Sequence, residues 1–290
     1  GFSSQDSLPI FAVKLSANAD ITIPQSRVLI IGQCHAEEIY GVEIAMEIIN
    51  QFLNPDENPG YSNRGYLIRG LAYTEIWIIP TLNPEGLRVV HGYIDSDTLI
   101  QDVTYRKNKR DIENYGNFGM FDYVATVGQD IDGVDLNRNY DFNWSFGDTL
   151  LVPTASCNPN YEDDFDYYRG KSPGSEDEVK SLMEWAIEKK FLLSIAYHSS
   201  RSGCVDRYVI YPWAWKDKFG ENDREYSPGF DVIERLGINI AEIAGMYETT
   251  GSSYRKGNAH DWLYRETGCI QYLIEVGAPP PVGALGPVYH

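Results

Sequence analysis

Four short apolar runs constrain this chain more than anything else in it: Arg27–Gln33 (RVLIIGQ), Glu75–Pro80 (EIWIIP), Phe191–Tyr197 (FLLSIAY) and Cys269–Ile274 (CIQYLI). Each has the length and near-continuous apolar character of a strand buried on both faces. Helical periodicity fills the intervals at Ile39–Leu53, from Ser175 to about Lys190, and near Phe230–Tyr247. The quartet Ser175-Glu176-Asp177-Glu178 has the form of a capping box, with Ser175 bonding the Glu178 N–H while the Glu178 carboxylate reaches back. Asn54–Gly60 (NPDENPG) is a stop, Asn83-Pro84-Glu85-Gly86 reads as a turn, and the aromatic, acidic stretch 141–170 reads as a long packed loop. No repeat, low-complexity tract or interdomain linker interrupts the pattern. The expectation is one α/β domain over 1–290, with an N-terminal segment at 1–25 and a tail at 278–290. Its sheet should be twisted, mixed but largely parallel, and flanked by helices.

Composition excludes several classes. At 43% hydrophobic and 23% charged residues, the chain is neither disordered nor a coiled coil. A net charge of −18 makes nucleic acid a poor partner, since that affinity comes from Lys and Arg neutralising phosphates. No apolar run approaches the ~20 residues of a membrane span. Cys34, Cys157, Cys204 and Cys269 form no C-x-x-C pair, which excludes a zinc ribbon or a thioredoxin-type site. One or two disulfides remain open, with no pairing determined.

Ligands of open α/β sheets gather beyond the carboxyl ends of the strands. The first run is followed by His35 and Glu38, the third by His198, and the last by Glu275. Two imidazoles and a carboxylate suit zinc, and a second carboxylate could act as base. Taken singly, each has a plainer reading: H-x-x-E arises by chance, His198 could be a bonded core histidine, and Glu275 a solvated terminus.

Five segments in order change that balance: His35-Ala36-Glu37-Glu38, Asn83-Pro84-Glu85-Gly86, Gly133-Val134-Asp135-Leu136-Asn137-Arg138-Asn139-Tyr140, Tyr197-His198-Ser199, and Asp261-Trp262-Leu263-Tyr264 with Glu275 beyond. From about Ile30 to Gly277 the chain resembles the zinc carboxypeptidases of the carboxypeptidase A-like (M14, funnelin) superfamily. The resemblance implies that His35, Glu38 and His198 hold one catalytic Zn²⁺. It makes Glu275 the general base for the zinc-activated water and then the acid for the leaving amine. Arg106 would steady the carbonyl oxyanion. Asn137 and Arg138 would bind a substrate's C-terminal carboxylate, Tyr254 would close over it, and His260 would line the pocket for the terminal side chain. Arg106 also lies in a basic run, Arg106–Arg110, that by itself would read as a solvated face. Asp132 and Asp135 would suit a calcium loop, but the family motif already accounts for Asp135.

Departures from the family pattern bear on specificity. Glu37 stands where many members carry an arginine. The stretch from His198 to Tyr211-Pro212 is longer than in digestive-type members and holds Arg201, Ser202, Gly203, Cys204 and Arg207. His260, with Arg255 and Lys256 nearby, would suit an acidic or polar terminal side chain. Cys157 lies near a family disulfide half whose partner position carries Gln129-Asp130. The expected function is a metallocarboxypeptidase acting on peptide or protein C-termini, monomeric, and secreted or periplasmic, with a cytoplasmic home as the alternative. Its rivals are an M14-type amidase or endopeptidase on peptidoglycan peptides and a non-catalytic binding module that keeps the fold.

Overall fold

A computed structural model of the chain describes residues 1–21, 23–56, 64–112, 121, 130–146, 165–199, 207–216, 224–250 and 256–277. In chain order the strands are β1 (Val13–Leu15), β2 (Ser26–Ile31), β3 (Thr74–Ile79), β4 (Tyr93–Asp95), β5 (Thr98–Ile100), β6 (Leu193–His198), β7 (Tyr208–Tyr211), β8 (Ala214–Lys216), β9 (Arg224–Tyr226), β10 (Tyr247–Thr250) and β11 (Ile270–Glu275). The helices are α1 (Tyr40–Leu53), α2 (Arg64–Tyr73), α3 (Pro84–His91), α4 (Asp177–Lys189), α5 (Phe230–Ala244) and α6 (Ala259–Thr267). Seven strands form one sheet in the order β1-β3-β2-β6-β11-β7-β10. The β1–β3 and β11–β7 pairs are antiparallel, and the other four are parallel. The four apolar runs thus become β3, β2, β6 and β11, side by side at the centre.

Successive strand residues face opposite sides, and both sides are dry. Leu29, Ile31 and Ala196 pack with Val179, Leu182 and Ala186 of α4 and with Trp262 and Leu263 of α6. On the other face Ile30 and Ile78 meet Ala45 and Ile49 of α1, while Tyr272 and Val209 meet Ile233 and Ala241 of α5. The contact of α1 with the sheet is close enough to require glycine. A Cβ on Gly41 would lie 1.5 Å from the Gly32 carbonyl oxygen.

Three sequence expectations are corrected. Asn83–Gly86 is the start of a helix as well as a turn: the Asn83 side chain accepts the Gly86 N–H at 3.0 Å, and Pro84 occupies the first turn of α3, the position where its missing N–H costs nothing. The basic run Arg106–Lys109 is buried, not solvated. The capping box does not form. Ser175 Oγ donates to Glu176 Oε1 at 2.7 Å, and Ser4, from the far end of the chain, caps α4 by accepting the Asp177 N–H at 2.8 Å.

That cap belongs to a docked N-terminal segment. The Glu178 carboxylate accepts the Ser4 N–H at 3.1 Å and the Ser4 hydroxyl, and Glu85 Oε1 accepts the N–H groups of Gln5 and Asp6 at 2.8 and 2.5 Å. Glu178 is fully buried, and burial, aided by the nearby Glu85 and Glu176, pushes its pKa up to about 7 against the restraint of Ser4. A carboxyl whose pKa rises on folding binds more protons folded than unfolded between the two values, so stability falls as pH rises through that window. Thermal melts between pH 4.5 and 7 are expected to show a decline that Glu178→Gln flattens, by an amount on the order of 2 kcal/mol at pH 7.

Candidate metal centre and active site

β2 ends at Ile31, and the chain turns so that the Glu38 N–H reaches the His35 carbonyl at 3.2 Å. The turn is buttressed by Gln33 Nε2 on the Ala36 carbonyl at 3.1 Å and by the Ala36 N–H on the Arg106 carbonyl at 2.9 Å. These contacts bring His35 and Glu38 onto one point. His198 closes β6 and arrives from the neighbouring strand. His35 Nδ1 lies 2.9 Å from Glu38 Oε1, His198 Nδ1 lies 2.8 Å from Glu38 Oε2, and the two Nδ1 atoms are 3.1 Å apart. All three residues are buried, and their donor atoms lie within 4.8 Å of one another. A tetrahedral zinc with ligands at ~2.0–2.2 Å needs donors roughly 3.4 Å apart, so the set fits zinc with small adjustment. Among the described residues no second group of three such ligands converges. Asp132 accepts the Ile112 N–H at 2.9 Å, and Asp135 is committed elsewhere.

Asp135 organises the cluster. Its Oδ1 caps the short 3-10 turn Leu136–Arg138 by accepting the Asn137 N–H at 2.9 Å, and lies 3.1 Å from His35 Nε2. Once His35 gives up its Nδ1 proton to a metal, the proton kept on Nε2 by Asp135 would fix the tautomer whose lone pair faces Glu38 and His198. The other oxygen, Oδ2, takes both Nε and Nη2 of Arg106 at 3.2 Å. Arg106 Nη1 also reaches Glu38 at 3.3 Å and Glu37 at 3.5 Å.

The charges respond accordingly. Burial and Arg106 oppose protonation of His35, but Glu38 and Asp135 outweigh them and lift its pKa to about 9. Burial lowers that of His198. Burial would raise the Glu38 and Asp135 carboxyls, yet His35 and His198 hold Glu38, and Arg106, His35 and Arg138 hold Asp135, well below the usual range. Arg106 stays cationic because Asp135, Glu37 and Glu38 overcome its desolvation.

Beyond the cluster, Glu275 ends β11 in register with His198 of β6, and the Val276 N–H bonds the His198 carbonyl at 2.7 Å. Asn137 Oδ1 accepts the Ala259 N–H at 2.9 Å, tying the 135–139 loop to α6. The Arg138 side chain is buried, with Nη1 on the Asn137 carbonyl at 2.7 Å and on Asn258 Oδ1 at 3.0 Å. Gly257, at φ +74°, passes so close that a Cβ would lie 2.3 Å from the Arg138 carbonyl oxygen. His260, in the first turn of α6, is buried with Nε2 3.5 Å from Asp261 Oδ1, and its ring nitrogens make no hydrogen bond among the described residues. Burial, His198 and Arg138 depress its pKa to about 3, so it is neutral.

Tyr254, Cys157, Arg255 and positions 201–204 of the extended loop lie outside the described residues. Cys34 and Cys269 are buried free thiols. Asp135 was visible in the sequence only as part of a motif. Its D-x-N spacing, an Asx cap on a following N–H, was the local signal of its double role.

The zinc carboxypeptidase family model (M14) matches residues 3–283. The chain belongs to the zinc carboxypeptidase family. Membership implies zinc as the ion for the His–Glu–His group. The chain is 25% identical over 238 residues to zinc carboxypeptidase A 1 of Drosophila melanogaster, covering 81% of this chain and 42% of that protein. It is 22% identical to the inactive metallocarboxypeptidase ECM14 of Paracoccidioides brasiliensis, covering 87% of this chain and 40% of that one. The fold matches the crystal structure of carboxypeptidase A from Helicoverpa armigera with a TM-score of 0.64 at 17% identity, over 98% of this chain and 60% of that structure. No helix among the described residues is long and apolar enough to cross a membrane.

Zinc added to metal-free protein is expected to raise Tm, with affinity falling as pH drops below about 9, where His35 takes up its second proton. Asp135→Asn should weaken zinc binding by about 10–100-fold, read by competition with a chromogenic chelator.

Proposed function

We propose that this chain is a zinc metallocarboxypeptidase, a single peptidase domain over 1–290 that removes C-terminal residues from peptides. His35, Glu38 and His198 would hold the ion. Zinc, when bound, supplies Lewis acidity that lowers the pKa of water and polarises a carbonyl. Glu275 takes the proton from the attacking water and returns it to the leaving amine. Arg106, held by carboxylates, offers a fixed cation where negative charge develops on the carbonyl oxygen, a position worth roughly 3 kcal/mol of barrier. Asn137 and Arg138 receive the free C-terminal carboxylate, and Tyr254 covers it. An arginine fork matches the two oxygens of that group. His260, a neutral imidazole, offers the terminal side chain a hydrogen-bonding wall, which favours a polar residue there. Secretion is part of this reading.

The observation that carries it is the register of Glu275 with His198. That register brings the Glu275 backbone alongside that of His198, which supports a second carboxylate at the strand edge that carries the three donors. A non-catalytic family member would be expected to have lost a ligand or the base, and His35, Glu38, His198 and Glu275 are all present.

The test uses blocked dipeptides with varied C-terminal residues, assayed beside muropeptides. Glu275→Gln should lower kcat by about 10²–10⁴-fold while zinc content is kept. Full activity in that variant would remove Glu275 from the mechanism. A wild type that releases only a diamino-acid product would move the reading to a peptidoglycan amidase, and an inert one to a binding module. Arg138→Ala should raise KM for free-acid substrates more than it lowers kcat.

A further inference from the structure

Tyr167 is in none of the segments that carried the family resemblance, yet both arginines of the site stack on it. The Arg106 guanidinium carbon lies 5.2 Å from the Tyr167 ring centroid, and that of Arg138 lies 5.5 Å from the same ring. Both distances are within cation–π range. The ring is also held in place. It ends the short 3-10 turn Phe165–Tyr167, directly after the fully buried Asp166. Immediately beyond it, the Tyr168 carbonyl accepts the Asp135 N–H at 2.8 Å, and the Arg169 carbonyl accepts Asn139 Nδ2 at 2.8 Å. The turn is therefore stitched to both ends of the loop that carries Asn137 and Arg138. One of those stitches uses Asp135, the residue that grips Arg106.

Two guanidiniums brought together in a buried site repel each other, and a π face offers negative potential without adding a carboxylate that would compete for them. We infer that Tyr167 is a positioning residue that fixes the spacing between Arg106 and Arg138. It thereby couples recognition of the terminal carboxylate to stabilisation of the scissile carbonyl. The inference rests on the proposed function, because it takes those roles for the two arginines. The aromatic face is the part that matters, so the hydroxyl should be dispensable.

The experiment compares wild type, Tyr167→Phe and Tyr167→Leu as zinc-loaded enzymes on a blocked dipeptide with a free C-terminus. The Leu variant should show a higher KM and a lower kcat, for a combined loss of roughly tenfold in kcat/KM, and the Phe variant should stay within about twofold. A separate arm, independent of turnover, titrates N-acetylphenylalanine and its amide into the metal-free proteins by NMR. The Leu variant should bind the acid roughly tenfold more weakly, the Phe variant should bind it like wild type, and the amide should not distinguish the three. Leu and Phe variants behaving alike in both arms would overturn the inference. So would a loss in the Leu variant equal for acid and amide, which is the signature of general loosening. A wild type that binds the acid but cleaves no peptide would defeat the proposed peptidase activity, and the titration would still decide for or against Tyr167.

Discussion

One carboxylate holds the site together. Asp135 is fully buried and serves three elements at once: the His35 ring, the Arg106 guanidinium and the turn that presents Asn137 and Arg138. A buried charge is tolerated only where its partners repay its desolvation, and here the partners are residues of the candidate site. The local geometry is correspondingly stiff. Rotating Asp135 away from His35 would also loosen Arg106 and uncap the Leu136–Arg138 turn. The residues proposed to hold metal and those proposed to bind substrate thus share a single support.

The sheet does the long-range part of the assembly. His35, His198 and Glu275 are far apart in sequence, but β2, β6 and β11 are consecutive neighbours and all run the same way. Their carboxyl ends therefore open on one edge. The dry packing on both faces, by α4 and α6 on one side and α1 and α5 on the other, fixes the register that puts Glu275 next to His198.

The central strands were legible in the sequence because their near-continuous apolar character has one economical solution, a parallel sheet covered twice. The convergence of His35, Glu38 and His198 was legible because each follows a strand. What was not legible was set by tertiary contact. Ser175 and Glu178 satisfy the capping-box pattern, but a pattern of local spacing cannot see Ser4, which arrives from 174 positions away and takes the Glu178 carboxylate. The run Arg106–Arg110 reads as a surface, and the acids that surround it, among them Glu37 and Asp135 at Arg106 and Glu176 at the half-buried Arg110, explain why most of it is buried. Tyr167 gave no signal, being one of 21 tyrosines in a stretch without periodicity. The helix α3 was hidden inside what looked like a turn because Asn and Pro suit both.

The docked amino terminus carries a consequence for the order in which the chain acquires its shape. Ser4 closes against Glu178 and Asp177, so this segment cannot reach its final partners until the chain has been made through the start of α4. Closing so wide a loop is entropically slow relative to neighbouring contacts. The amino-terminal strap should accordingly be among the last pieces to settle, sealing α4 and α3 after the sheet has formed beneath them.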